Sequence, residues 1–585
     1  MPAPIPYDQD LRDATRGWAI TELERALRVL DEDDGRHLLR AYLATRDREW
    51  LLMCFGEQLL GSLDTPAHRT LIEAIGAIGA YFLGRPSAAS ALEQPRGFGK
   101  STTSRLLVLK RAIYALEMGI ACFYRIQPDV LQASRDLRGL IPWNGGDLDA
   151  YLSTPLGRIY PEARRSGTLG QWWLSTMYGK VPFWFRGFGG TIRGLLADGR
   201  RPTFLLLDDL DTDEAARSAA RREENARKLA GAVRGLGPSG GGTVTVLVGT
   251  RVSDDGMTAR AHKDPAWKAE RLSIWVQRPD RLDLWERCRA IWADLRLPGP
   301  DARVAAARTF YEAHRAEMDA GAVTLDPVRW PPFSCYLEEW ALGPRAFAQE
   351  YENRIIDSTD RLLPMAHAKT ATLIGHRLHW LDTRDPEAPV EREVALSDCE
   401  CAIWLDPRYS ENIAKNDYAA AVLIARDPDG HLFEVVTRLE RCGFRDQRAL
   451  VWGLVDLVAE TGYLSLRVAF ESNSGAAGWA ELWEQERAAR KAEGLLAPKV
   501  HAIVSHGNKH TRIGALDGKI VHGHLRFCHT DTTVRAQWIE LPGGTHDDAP
   551  DATERAIALL DMEIEGEDGF ADLLAGMSGD LARFL

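Results

Sequence analysis

What the 585 residues lack narrows the field first. No apolar run is long enough to span a bilayer or to form the core of a secretory leader, so a soluble, intracellular protein is expected. The eight cysteines are scattered, and only Cys399 and Cys401 lie close together, with no second ligand pair nearby. That spacing supplies neither a zinc site nor a disulfide framework, so reduced thiols are expected. Short-period repeats and long low-complexity tracts are missing, and the most glycine-rich stretch, Gly235 to Gly242, reads as a single loop. Excess positive charge is missing as well. A formal net charge of -12 excludes a protein that coats nucleic acid over its whole surface, though it leaves room for a local basic channel.

What remains is an ordinary globular composition, 45% hydrophobic and 27% charged, in a chain longer than one hydrophobic core usually serves. Two substantial domains and a connecting region are expected. The segment that organises the rest is Glu93-Gln94-Pro95-Arg96-Gly97-Phe98-Gly99-Lys100-Ser101-Thr102-Thr103, which runs into a helical pattern. A glycine-rich turn ending in Gly-Lys-Ser at a helix start lets backbone N–H groups surround phosphate oxygens. The lysine neutralises charge there and the hydroxyl holds Mg²⁺. Gln94 stands where the usual pattern has its first glycine, and Gly97 sits inside the loop instead.

Around this cradle, apolar runs at 121–126, 203–207 and 244–248 alternate with helical patterns, as in a parallel sheet covered on both faces. The second run ends in Asp208-Asp209-Leu210-Asp211. A buried strand delivering a carboxylate to its C-terminal edge completes a nucleotide site, with Asp208 on Mg²⁺ and Asp209 orienting the attacking water; Asp211 is the alternative for the second role. Asp213 and Glu214 read as an acidic turn capping the next helix. The third run ends in Gly249-Thr250-Arg251, where a small residue and a hydroxyl can sense the γ-phosphate and couple its loss to movement. Between these runs, Arg217, Arg221, Arg222, Arg227, Lys228 and Arg234 read as a solvated helix face, with a DNA-facing surface as the alternative. Upstream, Leu23, Ala26, Leu27 and Leu30 follow a helical period, and a second helix is expected from Thr65 as N-cap and Pro66 through Leu71 and Ile75. His68 at that helix start either touches a nucleotide base or packs into the core.

The last third carries a second chemistry. A strand ends at Asp406, a hairpin turns at Asp427 to Gly430, and a later strand ends at Glu471. His546-Asp547-Asp548-Ala549-Pro550-Asp551 then opens a helix. Acids at three stations without a His/Cys cluster suit two hard divalent cations that activate water to cleave a phosphodiester. Asp551 and Asp417 read as support, the first capping the helix and the second fixing the loop.

In this order the motifs resemble the large terminase subunit of tailed bacteriophages and related prophages or gene-transfer particles. The likeness runs from about residue 60 to 575. It rests on P-R-G-F-G-K-S, Ile192-Arg193-Gly194, D-D-L-D, G-T-R-x-x-D-D from Gly249, Asp406 with N-D-Y-x-A, E-S-N at Glu471, K-x-x-R from Lys509 to Arg512, and H-D-D-x-x-D-A. The resemblance implies an α/β chain with an N-terminal P-loop ATPase domain on a parallel-rich sheet and a C-terminal RNase-H-like nuclease domain on a mixed sheet. The divisions expected are a helical lead-in at 1–60, the ATPase domain at 61–275, a helical subdomain and linker at 276–390, and the nuclease at 391–585. It implies ATP and Mg²⁺ or Mn²⁺ as cofactors, with ATP held by Gln94, Pro95, Arg96, Gly97, Phe98, Gly99, Lys100, Ser101 and Thr102. It makes Arg96 a cis-acting arginine, Gly249 and Thr250 the coupling segment, and Asp406, Glu471 and Asp547 or Asp548 the metal ligands of the nuclease. The partners implied are double-stranded DNA, a small terminase subunit, a capsid portal and further copies of the chain in a ring, with a monomer in isolation and no membrane. The place implied is the host cytoplasm, transiently on the procapsid. Two other readings of the residues stay open: a P-loop DNA translocase or helicase with a non-cleaving C-terminal clamp, and a regulatory NTPase with no DNA role.

Overall fold

The computed structural model describes residues 33–562, apart from 45, 61–64, 76–83, 85, 126, 144–145, 147, 189–193, 212–218, 234, 240, 356–362, 364, 384–388, 408–417, 473–478, 506–508, 529–530, 542–543 and 545. The helix expected around Leu23 to Leu30 and the roles expected of Ile192, Arg193, Asp213, Glu214, Arg217, Arg234, Asp417 and Asn473 fall outside the described residues. The chain divides into two compact units. One comprises Met1–Arg278, Ala322–Cys335 and Ala346–Ile355, and the other Pro279–Gly321, Tyr336–Arg345 and Ile356–Leu585.

The first unit is built on eight strands: β1 (Ala88–Glu93), β2 (Ile120–Tyr124), β3 (Arg164–Gly167), β4 (Gln171–Thr176), β5 (Gly179–Gly187), β6 (Phe204–Asp208), β7 (Val244–Gly249) and β8 (Lys268–Arg271). Their order is β3-β4-β5-β2-β6-β7-β1-β8. From β5 to β8 all neighbours are parallel, and β3-β4-β5 is an antiparallel meander on one edge. The three central strands, β2, β6 and β7, are buried along their whole length because both faces are covered. Alternation divides their side chains. Phe204 and Leu206 join the core beneath the helix Lys100–Ile113, whereas Leu205 and Leu207 join a second core with Leu229, Met257 and Ala261 on the other face. A short ribbon, β9 (Trp275–Gln277) with β10 (Val323–Thr324), completes the strands of this unit. The helix Pro66–Ile75 starts where Thr65 and Pro66 place it, and Thr65 Oγ1 accepts from the His68 N–H at 3.4 Å.

The second unit contains helices Leu282–Trp292 and Gly299–Met318 and two sheets. Its strands are β11 (Lys369–Thr370), β12 (Thr372–Ile374), β13 (Arg377–Asp382), β14 (Val390–Ala395), β15 (Glu400–Asp406), β16 (Ala419–Arg426), β17 (Leu432–Glu440), β18 (Ser465–Glu471), β19 (Val500–Ile503) and β20 (Leu525–Phe527). The seven-stranded sheet has the order β11-β20-β17-β16-β15-β18-β19. Strands β17, β16 and β15 run antiparallel and β15, β18 and β19 parallel, so the sheet is mixed, as the fold class expected from the sequence requires. The helix Phe444–Thr461 covers one face through Val451, Leu454, Val455 and Val458. The helix Asp548–Asp561 covers the other, where Ala549, Ala552 and Ala556 meet Ala402, Trp404 and Ala420. Small residues at that helical spacing let the backbone approach the sheet closely, and this brings the helix start to the ends of β15 and β18. All eight cysteines are free, as expected.

Candidate active sites

Parallel register sets the geometry of the first site. Glu93 lies beside Gly249, and Asp208 beside Val248, so the C-terminal ends of β1, β6 and β7 open on one edge. The turn from β1 into the helix Lys100–Ile113 takes left-handed backbone at Gly97 (φ 79°) and Gly99 (φ 70°), which is open to glycine at little strain. Phe98 is fully buried and stacks on Trp330, with centroids 6.3 Å apart, anchoring the loop. Gln94 is fully buried: its Nε2 donates to the Ala67 carbonyl at 2.8 Å and its N–H to the Gly249 carbonyl at 3.0 Å. The glutamine side chain therefore does here what a first glycine cannot, tying the loop to the helix Pro66–Ile75, while its backbone ties the loop to β7. His68 is buried beside the loop, with Nδ1 2.8 Å from Thr65 Oγ1.

Ser101 Oγ donates to Asp208 Oδ1 at 2.9 Å, joining the cradle to the acidic strand end. Burial pushes the Asp208 carboxyl up to about 6, against the pull of Arg105 and the Ser101 hydroxyl. Its other oxygen, Oδ2, is buried without a hydrogen-bond partner, and Arg105 Nη2 is 3.8 Å away. A hydroxyl and a carboxylate with an oxygen to spare fit a hard divalent cation. Burial lowers the Lys100 ammonium's proton affinity, opposed by Asp209 and Asp208. Asp209 has φ 52° and is half-buried next to Gly249. Asp211, the alternative for the water-orienting role, instead accepts from the N–H groups of Met257 (3.0 Å) and Thr258 (3.3 Å) and caps the helix Met257–Lys263. Pro95 and Thr250 are buried and Thr102 is exposed. The Arg96 side chain is 70% exposed and meets Glu350 at 3.4 Å.

Sequence reasoning assigned nothing to Glu93, yet it is fully buried at the base of the cradle. It accepts from Arg271 Nε at 2.7 Å and Arg251 Nε at 3.1 Å, and His262 Nε2 lies 3.3 Å away. Asn353, buried at φ 51°, accepts from the Arg251 N–H and donates to the Leu272 carbonyl. The one available signal was a glutamate closing an apolar strand next to an arginine that follows Gly-Thr.

In the second unit, the pairing of Leu405 with Phe470 puts Asp406 and Glu471 at adjacent strand ends. Carboxylate oxygens of Asp406, Glu471 and Asp551 all lie within 4.8 Å of one another. Burial raises the Asp406 carboxyl well above the usual range; Lys509 opposes this, while Asp551, Glu471 and Asp548 push it further. Lys509 Nζ contacts Asp547 Oδ1 (2.8 Å) and Asp551 Oδ2 (3.1 Å), and Arg512 Nη2 contacts Asp551 Oδ1 (3.0 Å). The structure does not bring Asp547 or Asp548 into the trio. Asp547 is the residue before the helix, and Asp548 Oδ2 accepts from the Tyr418 N–H at 3.4 Å. Asp551, one turn in, is the carboxylate that reaches Asp406 and Glu471. Three clustered carboxylates with no soft donor fit Mg²⁺ or Mn²⁺.

No family model and no curated protein matches this chain. Among solved structures it is similar to the large terminase from a thermophilic bacteriophage. With the ADP complex it shares 7% identity over 84% of this chain and 99% of that one, at TM-score 0.38. With a second crystal form it shares 7% identity over 81% and 90%, at TM-score 0.37. With the ATP-gamma-S complex it shares 8% identity over 81% and 90%, at TM-score 0.35. Likeness at this level concerns broad layout and assigns no activity.

Proposed function

We propose that the chain is an ATP-driven motor that moves double-stranded DNA into a viral procapsid and cuts concatemeric DNA. The observation that carries this reading is the presence in one chain of two differently charged pockets: a phosphate cradle bonded to a buried aspartate through Ser101, and an all-carboxylate trio at two strand ends and a helix start. At the first, backbone N–H groups of Gly97 to Ser101 and the Lys100 ammonium hold the triphosphate, and Asp209 orients water toward it. Arg96 leaves Glu350 to reach the γ-phosphate, a small loss because that contact is exposed. The hydrogen bond from Gln94 to Gly249 supports a coupling role for Gly249 and Thr250, since one loop's movement is felt by the other. At the second pocket, Asp406, Glu471 and Asp551 would hold divalent cations through which the scissile phosphodiester and its attacking water are placed, while Lys509 and Arg512 hold Asp551 in position. Divalent cations held by Ser101 with Asp208, and by the trio, supply charge neutralisation at phosphate and an activated water.

The partners of such a motor are DNA, a small terminase subunit, a capsid portal and further copies of the chain in a ring, with an arginine from a neighbour completing the ATP site. One observation favours the runner-up reading, a translocase with a non-cleaving clamp: Lys509 already supplies positive charge to the acids. Plasmid nicking by the full chain with Mn²⁺ decides between them. Nicking lost in Asp406→Asn but kept in Lys100→Ala supports separate ATPase and nuclease sites; no nicking by the unsubstituted chain sinks the nuclease.

A further inference from the structure

The meander β3-β4-β5 at the edge of the first sheet has two unlike faces. Pairing sets Arg164 opposite Ser175, Ser166 opposite Trp173, and Ser175 opposite Lys180. Partners across a ladder share a face, and alternation along β5 adds Arg186. The reverse face holds Trp172, Leu174, Val181 and Phe183, all buried in the core. The other face offers cations, hydroxyls and a half-buried tryptophan around Pro182 and Trp184, which are buried there, Trp184 in the second core. Lys180 Nζ sits 4.3 Å from the Trp173 ring centroid, and Arg200 Nη1 donates to the Lys180 carbonyl.

Among the described residues these cations have no carboxylate partner. Among the described residues Arg164 and Arg186 donate only to backbone carbonyls, those of Pro161 and Ala163 and of Gly170 and Phe185, and Lys180 meets only the ring. Residues 154–202 contain eight Arg and Lys (158, 164, 165, 180, 186, 193, 200, 201) against Glu162 and Asp198, in a chain of net charge -12. Glu162 is itself taken by Arg40 at 2.7 Å. A cationic island on an acidic chain is the electrostatic footprint of a polyanion, and Arg, Lys and Ser are donors that meet phosphate oxygens. A strand ribbon is also a shape that duplex grooves admit.

We propose that this face grips the sugar-phosphate backbone of double-stranded DNA through Arg164, Lys180 and Arg186. The inference rests on the motor reading and adds the holding surface. The test is binding of the full chain to a short labelled duplex across a salt series. Arg164→Glu with Lys180→Glu and Arg186→Glu is expected to lose tenfold or more in affinity and to flatten the dependence of log affinity on log salt by about 3, roughly 0.9 per lost contact. DNA-free ATP turnover stays unchanged. Lys180→Glu alone, at a side chain with no hydrogen bond among the described residues, flattens it by about 1 even where the triple variant folds poorly. The same loss in a variant reversing Arg303, Arg308 and Arg315 on the helix Gly299–Met318 overturns the proposal, because net charge alone then explains it. Duplex binding that persists in the triple variant overturns the surface alone, whereas no binding by the unsubstituted chain overturns the motor reading with it. Loss of polyglutamate binding with duplex binding intact assigns the face to an acidic protein partner and overturns the DNA assignment.

Discussion

The two pockets manage charge in opposite ways. In the first unit one buried carboxylate, Asp208, is bonded to the Ser101 hydroxyl and faced by Arg105 and Lys100, so the pocket is poised for an anion. In the second, Asp406, Glu471 and Asp551 crowd together with Lys509 as counter-charge, so that pocket is poised for a cation. The first is assembled mostly from contiguous chain and the second from segments about 145 residues apart end to end, Asp406 to Asp551. A local turn fixes one by backbone geometry; tertiary packing of a single helix fixes the other.

The largest expected effect breaks the comparison at the first pocket. Lys100→Ala removes the lysine proposed to meet the phosphates and lowers ATP turnover by on the order of 10³, with Mn²⁺-dependent nicking retained, measured by phosphate release and plasmid conversion. Next, Asp551→Asn reduces nicking by about 10² or more while Asp547→Asn reduces it less than tenfold; equal effects would return Asp547 to the metal set. A smaller contrast concerns acid stability. His522 and His524 in the second unit are held neutral by burial, at about 4 and about 3. The unfolded chain protonates them near their ordinary value and the folded chain does not, so stability is intact above about pH 6.5 and falls as pH drops toward 4. The loss is on the order of 1 kcal/mol per histidine per pH unit, visible as a falling melting temperature that flattens in His522→Gln with His524→Gln. Smallest is Asp211→Ala, which uncaps the helix Met257–Lys263 and lowers stability by about 1 kcal/mol in denaturant melts. ATP turnover lost altogether in that variant would make Asp211 the water-orienting acid.

That contrast also explains what could be read in advance. The cradle, the strand end at Asp208 and the parallel runs are local signals, because an apolar run closed by an acid already specifies direction and edge. Asp406 and Glu471 were legible for the same reason. The third acid was not, because Asp547, Asp548 and Asp551 fall within about one helical turn, and only packing of Ala549, Ala552 and Ala556 on the sheet decides which reaches the strands. Glu93 escaped notice because its partners Arg251, His262 and Arg271 lie more than 150 residues away in sequence.

The interleaved chain has a practical outcome for anyone wishing to study one pocket without the other. The polypeptide passes from one unit to the other at 278, 321, 335, 345 and 355, five transits in all. A single truncation near residue 391 discards 279–321 and 336–345, including the Trp340 carbonyl that receives His522 and the Ala293 carbonyl that receives His524. Dissection by point substitution in the intact chain keeps those seams closed, whereas scissors at any one linker leave raw edges on both halves.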